Sequence, residues 1–288
     1  MLSEAVDRKA AQRSKWSGDM DVLGWLRSIF DFRGRAKDQM ASPAEGLPTD
    51  FEIQAALHTL QQMVRPAVFG EIGGEKPQKD NRAGSWWGGN FLGREDEVIP
   101  VCERSGRLMH PLLQIRVDEL PETPSTLSNL ALVNIWVDLE DVPLDDVENG
   151  KGFIVRTYSA ISNLVPIGPG YRESQKLPTF PLLWRSTALE QPSWDDIAFK
   201  IPSNVARSND SKWFFESQYA IEADKYRGTC PVKLGGWPTW IQGENWPDDA
   251  ELCFQIDSTD KGRFYVGDSG SLYLFRIPDG WAIRSDFY

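Results

Sequence analysis

The stretch from Lys233 to Phe275 constrains the fold more than any other part of the chain. It opens with Gly235-Gly236-Trp237-Pro238, a turn in which glycine allows unusual φ angles and proline favours an extended predecessor. The apolar run from Leu252 to Asp257 is typical of a buried strand, and a second such run spans Gly270 to Phe275. Because the connection between the runs is rich in glycine and aspartate, the pattern predicts a β-hairpin.

Four segments of the chain resemble a known bacterial family. They are KLGGWPTWIQ, LCFQID, GDSGSLYLF and the earlier SWWGGNFLGREDEVIPVCERSGRLMHPLLQIRVDELP. Their order is similar to the signature of the YwqG-like proteins, a family without a settled activity, and the resemblance covers residues from about 80 to 288. The resemblance implies a compact α+β fold and names no reaction. Members of that family are often encoded near bacterial toxin genes, so it also suggests a role in toxin neutralisation.

The two ends of this region are similar to each other. Gly88-Gly89 precedes an apolar run around Gln114, and Gly235-Gly236 precedes one around Gln255. A further apolar run follows in each case, while the loops differ in length. Such a repeated order predicts an internal duplication, with chance similarity between short motifs as the alternative.

We therefore predict an α+β fold with two pseudo-repeated lobes of antiparallel sheet and flanking helices. The lobes are expected at about residues 80–175 and 229–288, within a domain that spans residues 47–288. Residues 1–46 are predicted to form a helical N-terminal extension, which is separated from the domain by proline and glycine breakers.

Local patterns predict individual elements. Thr49 and Glu52 form a capping box, which opens a helix that stops before Pro66. Residues 70–85 are rich in glycine and charge, so they are predicted to be a loop. Apolar runs predict further strands over residues 112–117, 130–139, 152–158 and 180–184.

Charge and cysteine content narrow the expected partners. The net charge is −11 at neutral pH, which disfavours nucleic acid, because phosphate binding needs a basic face, and favours a basic protein. Cys102, Cys230 and Cys253 are odd in number and far apart, which favours a reducing cytoplasm and no structural zinc. No apolar run is long enough to span a membrane, and the polar N-terminal segment does not have the pattern of a secretory signal. We expect a cytoplasmic protein with neither nucleic acid nor membrane as a partner.

One tetrapeptide resembles a catalytic motif. Gly267-Asp268-Ser269-Gly270 is similar to the nucleophile loop of trypsin-like serine proteases, whose mechanism needs a histidine base. The two histidines, His58 and His110, lack the matching context, so the tetrapeptide is interpreted as the turn that enters the last strand. Because metal-ligand and cofactor motifs are also missing, we predict no catalytic residues, no metal and no cofactor, and a protein that is not an enzyme.

Two sets of residues are candidate binding sites. An acidic run and the tryptophans beside the Gly-Gly turns offer a surface for a basic partner, with a solvated loop and core packing as the alternatives. These partner-binding candidates are Asp138, Glu140, Asp141, Asp145, Asp146, Glu148, Trp86, Trp87, Trp237 and Trp240. The second set is expected around a cleft between the lobes and consists of Gln114, Gln255, Asp257 and Asp268. For the two glutamines the alternative is structural, with each amide tying its Gly-Gly loop to the sheet.

The leading hypothesis is a non-catalytic protein-binding module, an immunity protein that binds and neutralises a toxin such as a basic nuclease. The alternative is a small-molecule-binding protein or an unrecognised hydrolase with its site between the lobes. A third hypothesis is a structural protein with no dedicated ligand. A deep pocket would favour the second hypothesis, and a flat acidic face with exposed aromatic side chains would favour the first.

Overall fold

The computed structural model describes residues 47–73, 83–143, 149–167, 177–208 and 212–288. The chain divides after Gly46, so all described residues belong to the unit Leu47–Tyr288. The predicted N-terminal extension, residues 1–46, lies outside the described residues and stays a prediction. Within the described ranges, no helix is long and apolar enough to cross a membrane.

Strands make up most of the described structure. In chain order they are β1 (Arg65–Ile72), β2 (Trp86–Trp87), β3 (Leu92–Gly93), β4 (His110–Arg116), β5 (Leu132–Val137), β6 (Phe153–Tyr158), β7 (Val165–Pro166), β8 (Phe180–Glu190), β9 (Val232–Gly235), β10 (Glu251–Asp257), β11 (Ser271–Ile277) and β12 (Gly280–Asp286). The strands β3 and β7 pair with each other, and the remaining ten described strands form one sheet. Its order is β12-β11-β10-β9-β1-β8-β2-β4-β5-β6, and every pairing is antiparallel.

Besides two 3-10 helices, Val117–Glu119 and Ser125–Leu127, the described helices are α-helices, which are few and mostly short. They are α1 (Asp50–Met63), α2 (Trp194–Ile197), α3 (Ser203–Ala206), α4 (Lys212–Phe215) and α5 (Gln218–Asp224). The predicted capping box of α1 is confirmed: Thr49 Oγ1 accepts the Glu52 N–H at 3.3 Å, and the Glu52 carboxylate accepts the Thr49 N–H at 2.8 Å. This α-helix ends at Met63, before Pro66, as predicted.

The centre of the sheet is formed by β1 and β8. They pair from Arg65 opposite Glu190 to Ile72 opposite Leu182, with a bulge at Phe69 and Gly70. The predicted loop over residues 70–85 was therefore wrong at its start, and the predicted strand over residues 180–184 was too short. Proline and glycine in β1 obscure the strand pattern, and its pairing with both β8 and β9 outweighs their low strand propensity.

One apolar core lies against the sheet. It contains Phe153 and Val155 from one outer strand together with Trp281 and Ile283 from the other, as well as residues of the middle strands. A flat sheet of ten strands cannot bring both outer strands into one cluster, so the sheet curls until it is nearly closed. The fold is thus a mostly antiparallel sheet with few helices, which fits the predicted α+β class.

The strand order is similar on the two sides of the central pair. We call β2, β4, β5 and β6 the first half-sheet and β9, β10, β11 and β12 the second half-sheet. In each half-sheet the strands follow one another across the sheet in their chain order, and the first of them lies next to the central pair. In the first half-sheet the short strand β3 lies between β2 and β4 in the chain and pairs outside this sheet. Each half-sheet also begins with a strand that runs into a Gly-Gly pair.

Candidate functional site

Both Gly-Gly pairs require glycine. Gly88, Gly89, Gly235 and Gly236 have φ angles of 61°, 95°, 67° and 66°, in the left-handed region that strains other residues. A Cβ atom on Gly88 would lie 2.5 Å from the backbone oxygen of Pro178, and one on Gly236 would overlap the Glu190 carboxylate. Any other residue in these two turns would be strained by its positive φ angle, and at Gly88 or Gly236 its Cβ atom would also clash with neighbouring atoms.

A buried glutamine holds the segment after the first turn. Gln114 Oε1 accepts the Leu92 N–H at 2.8 Å, and its Nε2 donates to the Gly84 oxygen at 2.8 Å. Asn134 Nδ2 donates to the Leu92 oxygen at 2.6 Å. Both backbone groups of Leu92 are thus bonded to side chains of neighbouring strands, which fixes the loop against the sheet.

Gln255 does the same in the second half-sheet. Its Oε1 accepts the Thr239 N–H at 2.9 Å, while the Tyr273 hydroxyl donates to the Thr239 oxygen at 2.6 Å. Leu92 and Thr239 are each the third residue after a Gly-Gly pair. The two glutamines that were predicted to line one cleft therefore lie in different half-sheets, and each fixes its own loop.

A buried ion pair supports the second Gly-Gly turn. Lys233 Nζ lies 2.8 Å from Glu190 Oε1, and both side chains are about 95% buried. The ammonium also donates to the Trp237 oxygen at 2.5 Å, and Glu190 Oε2 accepts the Trp237 N–H at 2.9 Å. The pair thus satisfies both backbone groups of Trp237, and Arg65 lies 3.7 Å from the centre of its ring.

The acidic run predicted as a docking edge is partly buried. Asp138 is 1% exposed, and it accepts hydrogen bonds from Ser105 Oγ at 2.5 Å and Arg107 Nη2 at 3.0 Å. Burial acts to raise the pKa of Asp138, but these two hydrogen bonds, the charge of Arg107 and a hydrogen bond from Cys102 together outweigh it, so the pKa is lowered. Asp141 pairs with Arg104 at 2.7 Å. Asp138 thus anchors a neighbouring loop and has no surface to offer a partner.

The other members of that run are less informative. Glu140 is exposed, and its backbone N–H donates to the Asp138 carboxylate at 3.1 Å. Asp145, Asp146 and Glu148 lie outside the described residues.

Three of the four candidate tryptophans are also buried. Trp86, Trp87 and Trp237 are 7%, 0% and 5% exposed, whereas Trp240 is half-buried. Trp87 packs edge-on against Phe264 at 5.9 Å between ring centres. The buried three fill the fold and cannot contact a partner in this conformation, which leaves Trp240 as the candidate with an accessible ring.

The structure places Trp240, a predicted binding residue, on a surface whose other members were not predicted, which we call the acid–indole face. It consists of Asp195, Asp196, Trp240, Glu244 and Trp246. The buried Asp196 carboxylate accepts the Trp246 Nε1–H at 2.6 Å and the Trp240 Nε1–H at 3.2 Å, and the two indole rings meet edge-to-face at 5.8 Å. Asp195 and Glu244 are exposed beside these half-buried rings. The face therefore combines carboxylates with accessible aromatic surface.

Glu244 on the acid–indole face lies in an unfavourable electrostatic environment, whereas Asp196 interacts favourably with the guanidinium of Arg65. Partial burial raises the pKa of Glu244 first, and the negative charges of Asp196 and then Asp195 raise it further. Lys200 offsets part of this effect. Like charges that approach each other in this way attract a cation. No local sequence pattern indicated the acid–indole face, because Asp195 and Glu244 are distant in the chain and come together only through packing.

A polar cleft lies where β1 and β10 end and β9 begins. Its volume is about 460 Å³, and its lining includes Glu71, Thr229, Asp257, Lys261 and Tyr265. Burial raises the pKa of Asp257, and hydrogen bonds from Gln255 and Ser271 offset only part of this effect. Of the four residues predicted for a cleft, Asp257 alone is among the residues that line this one.

A known protein family matches much of the chain. The model described as "Domain of unknown function (DUF1963)" matches residues 85–280, which include strands of both half-sheets. The chain belongs to the DUF1963 family. No curated protein matches the chain. Since the DUF1963 description names no function, the site geometry carries the functional argument, and the name YwqG-like stays a prediction.

The protease-like tetrapeptide of this DUF1963 protein, residues 267–270, forms the turn that enters β11, as its position predicted. Asp268 is exposed there, and Ser269 has a φ angle of 57°. His58 is hydrogen-bonded to Gln62 within α1, and His110 is buried in β4 of the first half-sheet.

The described residues of this DUF1963 protein contain no group of three or more side chains suited to a metal ion. Cys102, Cys230 and Cys253 are all buried free thiols. Burial raises the pKa of the Cys230 thiol, and a hydrogen bond from Thr229 offsets only part of this shift. Cys230 therefore stays protonated at neutral pH.

Proposed function

We propose that this DUF1963 protein is a non-catalytic protein-binding module that captures a basic protein through the acid–indole face. The observation that carries the proposal is the proximity of three carboxylates, those of Asp195, Asp196 and Glu244, to two half-buried indole rings. A lysine or arginine side chain placed on this face gains from both features.

The carboxylates favour such a side chain because they repel one another. The pKa of Glu244 is raised by burial and by its acidic neighbours, so a cation that docks beside it lowers the cost of its ionisation. Indole faces attract ammonium and guanidinium groups, and tryptophan is common at binding hot spots. The net charge of −11 attracts a basic partner over a longer range and speeds its association.

We also propose the finer form of this function, an immunity protein that neutralises a basic toxin in the bacterial cytoplasm. Its support is the resemblance to YwqG-like proteins, the acidic surface and three buried free thiols, which fit a reducing compartment. An acidic inhibitor and a basic nuclease are a physically sensible pair, because complementary charge accelerates capture.

The two half-sheets support a further proposal, that they are lobes derived from an internal duplication. The same strand order, the Gly-Gly pairs and the glutamines that bond the third residue beyond each pair favour a common origin. Chance convergence on one sheet topology is the alternative.

The decisive experiment is purification of the tagged full chain from its native cell, with the bound proteins identified by mass spectrometry. We expect a stoichiometric basic partner that is lost from the double variant Asp195→Asn/Glu244→Gln. The matched control, Asp268→Asn/Asp279→Asn, removes two charges from exposed positions elsewhere and should retain the partner.

Expression tests then distinguish an immunity function from protein binding without immunity. A partner that is toxic alone and harmless beside this chain establishes the immunity function. A harmless partner supports binding without immunity. Equal retention by the two double variants would remove the acid–indole face from the interface.

A further inference from the structure

The polar cleft at the end of β10 has the size of a ligand site. Its volume of about 460 Å³ lies within the range of small-molecule pockets, about 300 to 1,000 Å³. Its walls come from three places in the chain, represented by Glu71, Thr229 and Asp257. The cleft and the acid–indole face are lined by different residues, so a ligand of the cleft is independent of the proposed protein-binding function.

Three hydroxyl groups of the cleft donate their hydrogens to protein oxygens, so they can only accept hydrogen bonds from a ligand. Thr229 Oγ1 donates to the Tyr226 oxygen at 3.1 Å, with Cys230 Sγ at 3.8 Å as its alternative acceptor. Ser258 Oγ donates to the Gly270 oxygen at 2.7 Å and accepts the Val266 N–H at 2.9 Å, which leaves it one lone pair. The Tyr265 hydroxyl donates to Asp260 Oδ1 at 3.1 Å. Because a hydroxyl has one hydrogen and two lone pairs, each of these groups offers a ligand only acceptor capacity.

The carboxylates of the cleft also offer a ligand hydrogen-bond acceptors. Asp257 Oδ1 accepts hydrogen bonds from Gln255 Nε2 at 2.9 Å and from Ser271 Oγ at 2.7 Å. Both bonds are made to the same oxygen, which leaves Oδ2 for a ligand. Asp260 and Glu71 line the same cavity, but Glu71 is paired with Arg185, so Asp257 and Asp260 are the acceptors that remain for a ligand. Acceptors of this kind bind a charged donor more strongly than a neutral one.

The lysine of the cleft is already engaged in its wall. Lys261 Nζ donates to the Ile72 oxygen at 2.7 Å and lies 5.7 Å from the centre of the Phe180 ring. Its charge is therefore directed at the β1 backbone and an aromatic ring, and it does not neutralise Asp257 by direct contact.

We propose that this cleft binds a small organic cation with several N–H donors, an ammonium or guanidinium compound, with Asp257 Oδ2 as the central acceptor. The surrounding hydroxyl oxygens accept its remaining hydrogens. The same chemistry is carried by free polyamines and by lysine or arginine side chains of a peptide, so the test includes both sources.

The test measures binding to the full chain by isothermal titration calorimetry and by backbone amide chemical shifts at low ionic strength. The free cations are agmatine and spermidine, the side-chain probes are the blocked amides of lysine and arginine, and the neutral control is butane-1,4-diol. We expect at least one cationic probe to bind and shift the amides of residues 257–261, and no binding of the diol.

Two variants locate the binding site. Asp257→Asn keeps the side-chain volume and the oxygen that accepts from Gln255 and Ser271, and removes the charge; we expect about a tenfold or greater loss of affinity. Thr229→Lys places a competing ammonium at an exposed position of the cleft and should also weaken binding. The matched control, Asp279→Asn, removes an exposed charge away from the cleft lining and should bind the probes as the wild-type protein does.

The outcomes are separable. Binding of the free cations assigns the cleft to a metabolite, and binding of the blocked amino acids alone assigns it to a protein side chain; both support a cation site. Failure of all four cationic probes, or equal affinity of wild-type protein, Asp257→Asn and Thr229→Lys, would overturn the proposal. Because Thr229 is exposed, we expect Thr229→Lys to fold. It therefore tests binding in the cleft even if Asp257→Asn does not fold.

Discussion

Gln114 and Gln255 occupy corresponding places in the two half-sheets, and each accepts the N–H of the third residue after a Gly-Gly pair. The bonds from Leu92 and Thr239 measure 2.8 and 2.9 Å. A second side chain, that of Asn134 or Tyr273, donates to the oxygen of the same residue. The same arrangement of hydrogen bonds thus holds a loop against the sheet in both half-sheets. Buried polar side chains that resemble ligand contacts stabilise the fold here.

The first prediction concerns the fixing of the first loop. Replacing Gln114 with leucine leaves the buried Leu92 N–H and Gly84 oxygen without their partner, so we expect a loss of about 2 to 4 kcal/mol in the free energy of unfolding. Urea denaturation measures it. Gln54→Leu, on the exposed side of α1, is the control and should change stability little. A Gln114→Leu variant as stable as the control would show that the bonds are dispensable.

The second prediction concerns the buried ion pair. Lys233→Met strands the Glu190 carboxylate in the interior, and we expect a destabilisation of about 3 to 5 kcal/mol. The double variant Lys233→Met/Glu190→Gln removes the uncompensated charge and should recover part of that loss. Thermal and urea unfolding of the two variants provide the comparison, and an equal loss in both would contradict a role for the charge.

The third prediction concerns the pH dependence that Asp257 imparts. Its pKa is raised in the folded protein, mainly by burial, above the unfolded value of about 3.9. Its ionisation therefore opposes folding, and this loss of stability develops as the pH rises from the unfolded pKa through the raised folded pKa. We expect Asp257→Asn to gain stability relative to the wild-type protein across that window, measured by urea unfolding at about pH 4 and about pH 8.

The exposed Asp268→Asn variant is the control for this measurement. A difference between Asp257→Asn and wild-type protein that stays the same at both pH values would show that burial does not perturb the Asp257 carboxyl.

The fourth prediction concerns Asp138, whose effect on the pH dependence of stability is opposite in sign to that of Asp257. Burial acts to raise the pKa of Asp138, but its hydrogen bonds and the charge of Arg107 together outweigh burial and lower the pKa. Its contribution to stability is present above the unfolded pKa and is lost as the pH falls through the folded pKa. At neutral pH, Asp138→Asn should cost about 1.5 to 3 kcal/mol, and the difference from wild-type protein should shrink in acid.

Asp141→Asn is the matched control for Asp138→Asn, because Asp141 belongs to a partly exposed ion pair with Arg104. Such pairs contribute about 0 to 1 kcal/mol. Urea denaturation at several pH values compares the two variants, and equal effects would mean that burial gives Asp138 no special importance.

The fifth prediction concerns association with the proposed basic partner. The double variant Asp195→Asn/Glu244→Gln should slow association and reduce its dependence on salt, because charge complementarity acts mainly on the association rate. Surface plasmon resonance at two ionic strengths measures both quantities. The equally charged control Asp268→Asn/Asp279→Asn sets the effect of net charge alone, and an identical slowing in both variants would contradict local recognition.

Local sequence signals predicted much of the sheet. The strands at His110–Arg116, Leu132–Val137, Phe153–Tyr158, Glu251–Asp257 and Ser271–Ile277 coincide with the predicted apolar runs to within a few residues. The capping box of Thr49 and Glu52 and the two Gly-Gly turns were also identified. These features depend on side chains and φ angles within a few residues, so a local pattern contains them.

The sequence did not predict β1, β12 or the site geometry. The strand β1 carries proline and glycine, and it is a strand because β8 and β9 pair with it on both sides. Asp138 looked like surface because it stands in an acidic run, whereas Ser105 and Arg107 draw it into the fold. Asp195 and Glu244, and likewise Glu71 and Asp257, come together only through packing.

By itself, the amino-acid sequence determined the strands with clear apolar periodicity, the glycine turns, the helix cap and the acidic character of the protein. Each depends on local sterics, local hydrogen bonds or composition. The tertiary structure decided which polar side chains are buried and which carboxylates are neighbours. The physical reason is that burial and charge proximity depend on contacts between residues far apart in the chain, which no local pattern encodes.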